Sequence, residues 1–270
     1  MKQNLKENKE EKMTEAYIID AARTPRGIGK LGKGSLSEFH PGRLLATVLE
    51  EIQKRNDLVT QDIDDVVIGC SSQVGKQGSC VGRMAALDAG WDTSASAVTL
   101  DRFCGSGITS VNLAAANIMS GMDDLCVAGG VEMMSYTATL TSERNNRTVD
   151  GGNLHLREIH PQPHQGICAD LIATLEGFSR EELDALAVES QNRAQQAIAE
   201  GRFDRSLITV RNEDGSIALD REEFPRPGTT LDTLASLPTV FSEFMPTPVD
   251  DGGETFTELV ARRYPDLEIN

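Results

Sequence analysis

Ala97-Val-Thr-Leu-Asp-Arg-Phe-Cys-Gly-Ser-Gly-Ile-Thr-Ser-Val-Asn-Leu-Ala-Ala-Ala-Asn-Ile-Met119 is the stretch whose reading decides the fold. Ala97–Leu100 has the composition of a short strand, and Ile108, Val111, Ala115, Ile118 and Met119 recur at the spacing of one helical face. Gly105 and Gly107 lie at the junction, where a chain passing sharply from strand to helix needs small residues. The same grammar continues on both sides. Upstream, Tyr17-Ile-Ile-Asp20 reads as a strand, Leu44, Leu45, Val48, Leu49 and Ile52 as a helix face, and Val66-Val-Ile-Gly-Cys70 as another strand. Downstream, Leu125-Cys-Val-Ala128 reads as a strand that runs into Gly129-Gly130-Val-Glu-Met-Met134. Alternation of this kind implies an α/β fold, a mainly parallel sheet with helices packed against it.

Past residue 136 the composition shifts. Thr141–Asn153 has almost no apolar residue and reads as a linker or loop-rich excursion. A strong helix follows, opened by a capping box of Ser179 and Glu182, with Leu183, Leu186, Ala187, Ser190, Ala194, Ala197 and Ile198 as its inner face and Gly201 as a left-handed end. From Phe203 onward the chain is rich in Pro, Asp and Thr and resists assignment. The exception is Phe256, Leu259, Val260 and Tyr264, which suit a short amphipathic helix before Pro265.

The 270 residues carry 26 Lys plus Arg against 42 Asp plus Glu, a net charge of 26 − 42 = −16, with 39% hydrophobic residues. That composition is globular, and an acidic surface repels phosphate backbones, which argues against nucleic-acid binding. No apolar run approaches the roughly 20 residues of a membrane span, and the Lys/Glu-rich start lacks the apolar core of a signal peptide. A cytoplasmic protein with no membrane partner is expected. Five cysteines without a C-x-x-C pair suggest neither a disulfide framework nor a zinc site.

Among those thiols Cys104 stands out. Between strand and helix, its sulfur would lie near the amides of a helix N-terminus, which favour the nucleophilic thiolate. A buried cysteine in a tight turn is the equally open structural reading. Cys70 and Cys126, inside apolar runs, read as core; Cys80 reads as unreactive. Gly27-Ile-Gly-Lys-Leu-Gly32 matches a dinucleotide fingerprint literally, but it is separated from its strand by Arg23-Thr-Pro-Arg26 and reads as a mobile Gly/Lys loop. His155, His160 and His164 cluster, yet the prolines between them break any helix that would align two of them, and no metal is expected. Asn146-Arg-Thr148 is a formal glycosylation sequon without a secretion signal to make it relevant.

Asp101-Arg-Phe-Cys-Gly-Ser-Gly-Ile-Thr-Ser110 resembles the nucleophile segment of the thiolases, the acetyl-CoA acyltransferases. Ala21-Ala-Arg-Thr-Pro25, Gly129-Gly-Val-Glu-Met-Met-Ser135, Ser190-Gln-Asn-Arg-Ala194 and Arg226-Pro-Gly-Thr-Thr-Leu-Asp232 resemble the family in the same order, over about Thr14 to Phe241. The resemblance implies a layered αβαβα fold of two similar halves, with a loop domain inserted in the first half to hold coenzyme A. It divides the chain into a disordered tail (1–13), an N-terminal core half (14–135), a coenzyme A-binding loop domain (136–240) and a segment returning toward the core (241–270), with the second half missing. By resemblance Cys104 is the acyl acceptor, and His164, Arg226 and Thr233 fall where family members contact coenzyme A. Coenzyme A and acyl-CoA enter as substrates, with no permanently bound cofactor, and a completed protein would be a homo-oligomer.

Similar thiolases also carry a Gly-His-Pro histidine and a later Cys-x-Gly cysteine. Here His40-Pro41 and His160-Pro161 lack the preceding Gly, and Cys80-Val-Gly82 lies upstream of the nucleophile. Carbon–carbon bond chemistry needs those acid/base groups, so an incomplete thiolase of poor stability, with apolar sheet and helix faces left open, is expected. The alternative is a non-catalytic coenzyme A-binding or partner subunit that needs a separate C-terminal chain. A ketoacyl-synthase-like condensing enzyme fits less well, given the long insertion between Met134 and Phe241.

Overall fold

The computed structural model describes residues 15–140, 149–249 and 252–269. The chain forms two compact units, one of residues up to Ala138 with Phe203–Phe224, the other of Thr139–Arg202 with the residues from Pro225 onward.

In the first unit, helix α1 (Pro41–Arg55) starts where His40 Nδ1 accepts a hydrogen bond from Gly42 N, with Pro41 preset for a first turn. Strands β1 (Asp65–Gly69), β2 (Ser96–Leu100) and β3 (Cys126–Gly130) form a parallel sheet in the order β2-β1-β3, with Asp65 level with both Ser96 and Cys126. Helix α2 (Val81–Asp88) precedes β2, α3 (Ser106–Ser120) joins β2 to β3, and the short α4 (Met134–Thr137) follows β3. Val66 and Ile68 of β1 are fully buried in one core with Leu45, Ala46 and Leu49 of α1 and Val81, Ala85 and Ala86 of α2. Val67, also fully buried, points to the opposite face, where α3 packs. The hairpin β4 (Val210–Arg211) and β5 (Ile217–Leu219) adds Val210 and Leu219 to a second cluster with Leu36, Leu44 and Met133. This is the α/β fold with a parallel sheet that the alternation predicts.

Two readings of this unit are corrected. Tyr17–Asp20 is not a strand: its backbone has no partner strand among the described residues, and Tyr17, Ile18 and Ile19 are exposed. An apolar, β-branched run becomes a strand only where a second strand accepts its hydrogen bonds. The helix read from Ile108, Val111, Ala115, Ile118 and Met119 forms as α3, but another of its faces is the buried one. Ser106, Ser110 and Ala114, four residues apart, are its buried residues, whereas Ile108 is 73% exposed and Val111 and Met119 are exposed. Small residues win this face because the helix lies close on the sheet, where Ser110 Oγ donates to Gly129 O at 2.7 Å.

The Gly27–Gly32 loop opens no helix and is tied down by two neighbouring carboxylates. Glu222 accepts from Arg26 N at 2.8 Å and pairs with the Arg23 guanidinium; Glu223 accepts from Ile28 N at 2.9 Å and from Ser35 N and Oγ. Burial works against ionisation at both, yet the donors outweigh it: Arg26 N–H and Arg23 hold Glu222, and Ser35 with Ile28 N–H holds Glu223, below the ordinary glutamate value of 4.5. Because the folded value is the lower, their contribution to stability is complete above about pH 4.5 and drains as pH falls through the folded values. Wild type should therefore lose more of its urea midpoint between pH 6 and pH 3 than the Glu222→Gln/Glu223→Gln variant. Equal acid losses in the two proteins would refute this assignment.

The second unit is built on helices α5 (Leu154–Ile159), α6 (Gln165–Glu176), α7 (Arg180–Ala199), α8 (Leu231–Ala235) and α9 (Phe256–Ala261). The capping box of Ser179 and Glu182 forms, with Ser179 N donating to Glu182 Oε2 at 2.9 Å, and Gly201 closes the helix at φ +64° with Arg202 N donating to Ala197 O. The expected inner face of α7 is overturned. Only Ala197 is buried and Leu186 is 69% exposed, because the apolar core of this unit lies instead among Ile167, Val249, Phe256, Leu259 and Val260. Part of the polar stretch 141–153 is anchored rather than loose: buried Asp150 accepts from Arg157 Nε at 2.8 Å and Nη2 at 3.0 Å. Residues 141–148, including Asn146, and the tail 1–13 lie outside the described residues.

Candidate active site

Cys104 is exposed and sits two residues before α3, whose N-cap is Gly105. The turn that presents it closes on itself. Gly105 N donates to Arg102 O at 3.1 Å and Ser106 N to Phe103 O at 3.0 Å, so two amides at the start of the helix are engaged by the turn. Those of Gly107 and Ile108, in the first turn of α3, have no carbonyl partner among the described residues. Phe103, 63% exposed, holds a left-handed φ of +49°. Beneath the turn the approach is tight: a Cβ on Gly69 would lie 2.5 Å from Ser106 C, and one on Gly130 would lie 2.9 Å from Gly69 O.

The other thiols are placed differently. Burial pushes the Cys70 thiol up to about 11, and burial with the Asp123 carboxylate pushes Cys126 up to about 12. Burial likewise raises Cys168, whose Sγ donates to Pro163 O. Cys80, half-buried at the start of α2, lies 3.5 Å from Ala97 O and accepts from Thr99 Oγ1.

His164, Arg226 and Thr233 all belong to the second unit. His164 caps α6, its Nδ1 accepting from Gly166 N at 3.1 Å and its ring packing against Phe241 and Phe244. Arg226 is exposed, with its amide donating to Gln191 Oε1 at 2.8 Å, and its guanidinium makes no ion pair among the described residues. Thr233 is half of a capping box: Thr230 N donates to its Oγ1 at 2.9 Å, and that hydroxyl donates to Thr230 O. No hydrogen bond or ring contact joins His164 to Arg226 or Thr233 among the described residues. No group of three or more His, Cys, Asp and Glu among them is placed to hold a metal ion, and no helix is long and apolar enough to cross a membrane.

The sequence profile of the family described as "Thiolase, N-terminal domain" matches residues 16–247. The chain belongs to the thiolase family. It is 36% identical over 243 residues to a 3-ketoacyl-CoA thiolase of Bacillus subtilis, an alignment covering 85% of this chain and 60% of that protein. A 3-ketoacyl-CoA thiolase of a Marinomonas strain is 30% identical over 266 residues, covering 94% and 66%. A steroid 3-ketoacyl-CoA thiolase of Mycobacterium tuberculosis is 36% identical over 232 residues, covering 83% and 56%. The chain thus spans less than two thirds of the length of these relatives.

Beside the nucleophile turn lies a partly buried polar network. Within Gly129–Ser135, the Glu132 carboxylate accepts from Ser71 N at 2.8 Å, Ser72 N at 3.2 Å and Gln77 Nε2 at 3.0 Å, while buried Gln77 Oε1 accepts from Met133 N at 2.7 Å. This network joins the exits of β1 and β3, the two strands on which the start of α3 rests. Gln77 also donates to Ser72 O at 2.9 Å, but its bonds to Glu132 and Met133 span 55 and 56 residues, so no short motif marks it. Asp101 carries a local signal, because an Asp two residues before the amide that donates to it, here Phe103 N at 2.7 Å, is the mark of an Asx turn.

Proposed function

We propose that this chain supplies the acyl-accepting part of a thiolase reaction, with Cys104 as nucleophile. Its sulfur attacks the thioester carbonyl of an acyl-CoA, the new S–acyl bond forms as the bond to coenzyme A breaks, and the thiol proton leaves with the coenzyme A sulfur. The acyl group then passes to coenzyme A, whose thiol proton returns to the Cys104 sulfur, or to the carbon of acetyl-CoA, which loses a proton to a base as the Cys104 thiol is restored; run backwards, the second route cleaves the carbon–carbon bond of a 3-ketoacyl-CoA. The observation that carries this reading is the placement of Cys104, exposed at a strand-to-helix turn within a family-matched segment, while the thiols of Cys70, Cys126 and Cys168 are pushed toward the protonated form. Relatives named 3-ketoacyl-CoA thiolases favour 3-ketoacyl-CoA as the substrate class and fatty-acid metabolism as the setting. Sulfur carries the acyl group, so no permanently bound cofactor is required.

Carbon–carbon bond formation or cleavage needs a base for the thiol and an acid/base for acetyl-CoA. We assign both to residues outside these 270, since the sequence holds no Gly-His-Pro and its Cys80-Val-Gly82 lies half-buried and upstream. For coenzyme A we propose the second unit. Arg226 presents an exposed guanidinium suited to phosphate or adenine, His164 presents the ring nitrogen that its cap leaves unused, and Thr233, whose hydroxyl is engaged with Thr230, would reach coenzyme A in exchange for one of those bonds. A cytoplasmic homo-oligomer is the proposed setting.

Incubation with isotopically labelled acetyl-CoA followed by site-resolved mass spectrometry tests the reading. Label is expected on Cys104 and on none of the other four cysteines. An unlabelled Cys104 would overturn acyl transfer by this chain and leave the non-catalytic coenzyme A-binding subunit as the better account.

A further inference from the structure

The turn that carries Cys104 is held by side chains that take no part in the acyl transfer itself. Between Leu100, the last residue of β2, and Ser106, the first of α3, the chain redirects within residues 101–105. Both ends are fixed to the sheet: Cys70 N donates to Leu100 O at 3.0 Å, and Ser110 Oγ donates to Gly129 O at 2.7 Å. The left-handed residue of this turn is not a glycine. Gly105 has φ −89°, while Phe103 takes φ +49°. A residue with a Cβ keeps that conformation only where its surroundings over-determine it.

Here they do. Phe103 N donates to Asp101 Oδ1 at 2.7 Å, and Ser106 Oγ donates to Phe103 O at 2.6 Å while accepting from Arg102 N at 2.8 Å. Every polar backbone group immediately before the nucleophile is thereby bound. A glycine at 103 would adopt the same φ without help, but it would leave it as readily. A locked Phe103 does not, and the next residue is the nucleophile.

We infer that Asp101 and Ser106 are positioning residues: together they lock Phe103 in its left-handed conformation and so hold Cys104 outward at the start of α3. This rests on the reading of Cys104 as the acyl acceptor. Asp101 is exposed, so its substitution probes the lock without disturbing the core, whereas Ser106 is buried and a change there would confound folding with position.

The test compares Asp101→Ala with Asp101→Asn. Both remove the charge, and only Asn keeps an oxygen to accept from Phe103 N. Two rates are read at Cys104 by mass spectrometry, acetylation by acetyl-CoA and alkylation by iodoacetamide, beside the urea midpoint. We expect Asp101→Asn to react within about twofold of wild type and Asp101→Ala at least about fivefold more slowly in both reactions, at an unchanged midpoint, as small misplacements of a reacting atom do. Adding Phe103→Gly to Asp101→Ala should recover part of the lost rate but not all of it, since glycine reaches the left-handed conformation unaided and is not held there. Equal rates for Ala and Asn, or no recovery with glycine, would overturn the inference. If wild-type Cys104 is alkylated but never acetylated, the acyl-transfer reading fails, while the alkylation rates of Ala and Asn still decide the lock.

Discussion

Cys104→Ala should abolish covalent labelling by acetyl-CoA, with residual acetylation at least about 1,000-fold below wild type, equivalent to ~4 kcal/mol of lost transition-state stabilisation. No other thiol is placed to take over. With values of about 11 and about 12, Cys70 and Cys126 are almost wholly protonated near neutral pH, and the sulfurs of Cys168 and Cys80 are turned toward the carbonyls of Pro163 and Ala97. Cys104→Ser should fall nearly as far, because a hydroxyl yields far less of its anion than a thiol does. The fold should not notice either change. The side chain is exposed and its sulfur makes no hydrogen bond among the described residues, so the unfolding free energy should stay within about 0.5 kcal/mol of wild type. Labelled acetyl-CoA, mass spectrometry and a urea titration on the same preparations separate the two effects. Undiminished labelling of the Ala variant would move the acyl group to another cysteine and end the case for Cys104.

Much of this fold is legible in the sequence because the signals that made it are local. The Ser179/Glu182 cap, the Gly201 closure of α7, and the runs that become β1, β2 and β3 each draw on residues within a few positions of one another. Position 104 is legible for the same reason. What fails depends on partners far along the chain. Periodicity finds the apolar stripe of α3 correctly but cannot say which side the sheet takes; a close helix–sheet approach selects Ser106, Ser110 and Ala114, and leaves Ile108, Val111 and Met119 open. Tyr17–Asp20 has the composition of a strand and no partner strand among the described residues. The Glu222 and Glu223 anchors of the Gly27–Gly32 loop lie nearly 200 residues away from the groups they bind, with separations of 196 and 195. Thr233, singled out for coenzyme A, is also the third helical residue of α8 and closes a capping box with Thr230, a role its Thr230-x-x-Thr233 spacing allows but does not announce. An open apolar stripe on α3 also has a physical meaning: Ile108 and Phe103 at their exposures are surface that water disfavours, beside the residue proposed to receive the acyl group.

Gly69→Ala should be strongly destabilising although it adds a single methyl group. Gly69 is not among the residues with positive φ, so its backbone would accept alanine, and a glycine-to-alanine change in a compatible conformation ordinarily stabilises by about 0.4–1 kcal/mol. The penalty here is steric. The added Cβ would lie 2.5 Å from Ser106 C, 2.6 Å from Ser106 O and 2.8 Å from Gly107 N, all of them backbone atoms that no rotamer change can move. The start of α3 cannot simply retreat, because Ser110 Oγ is bonded to Gly129 O, and Val131 N donates to Gly69 O at 3.0 Å on the strand side. Overpacking against fixed backbone should cost about 3 kcal/mol or more, seen as a lower urea midpoint at unchanged slope. Any relief comes from moving the first turn of α3, which carries Cys104 with it, so acetylation should fall at least about tenfold in whatever fraction stays folded. Gly129→Ala is the matched control. It lies on the neighbouring strand, it too has no positive φ, and its added Cβ would meet only Ile68 Cδ1 at 3.9 Å, an ordinary contact. That variant should be neutral or slightly more stable than wild type and should label at the wild-type rate. If the two alanines behave alike, the close approach of β1 to the start of α3 is not what holds the nucleophile turn in place.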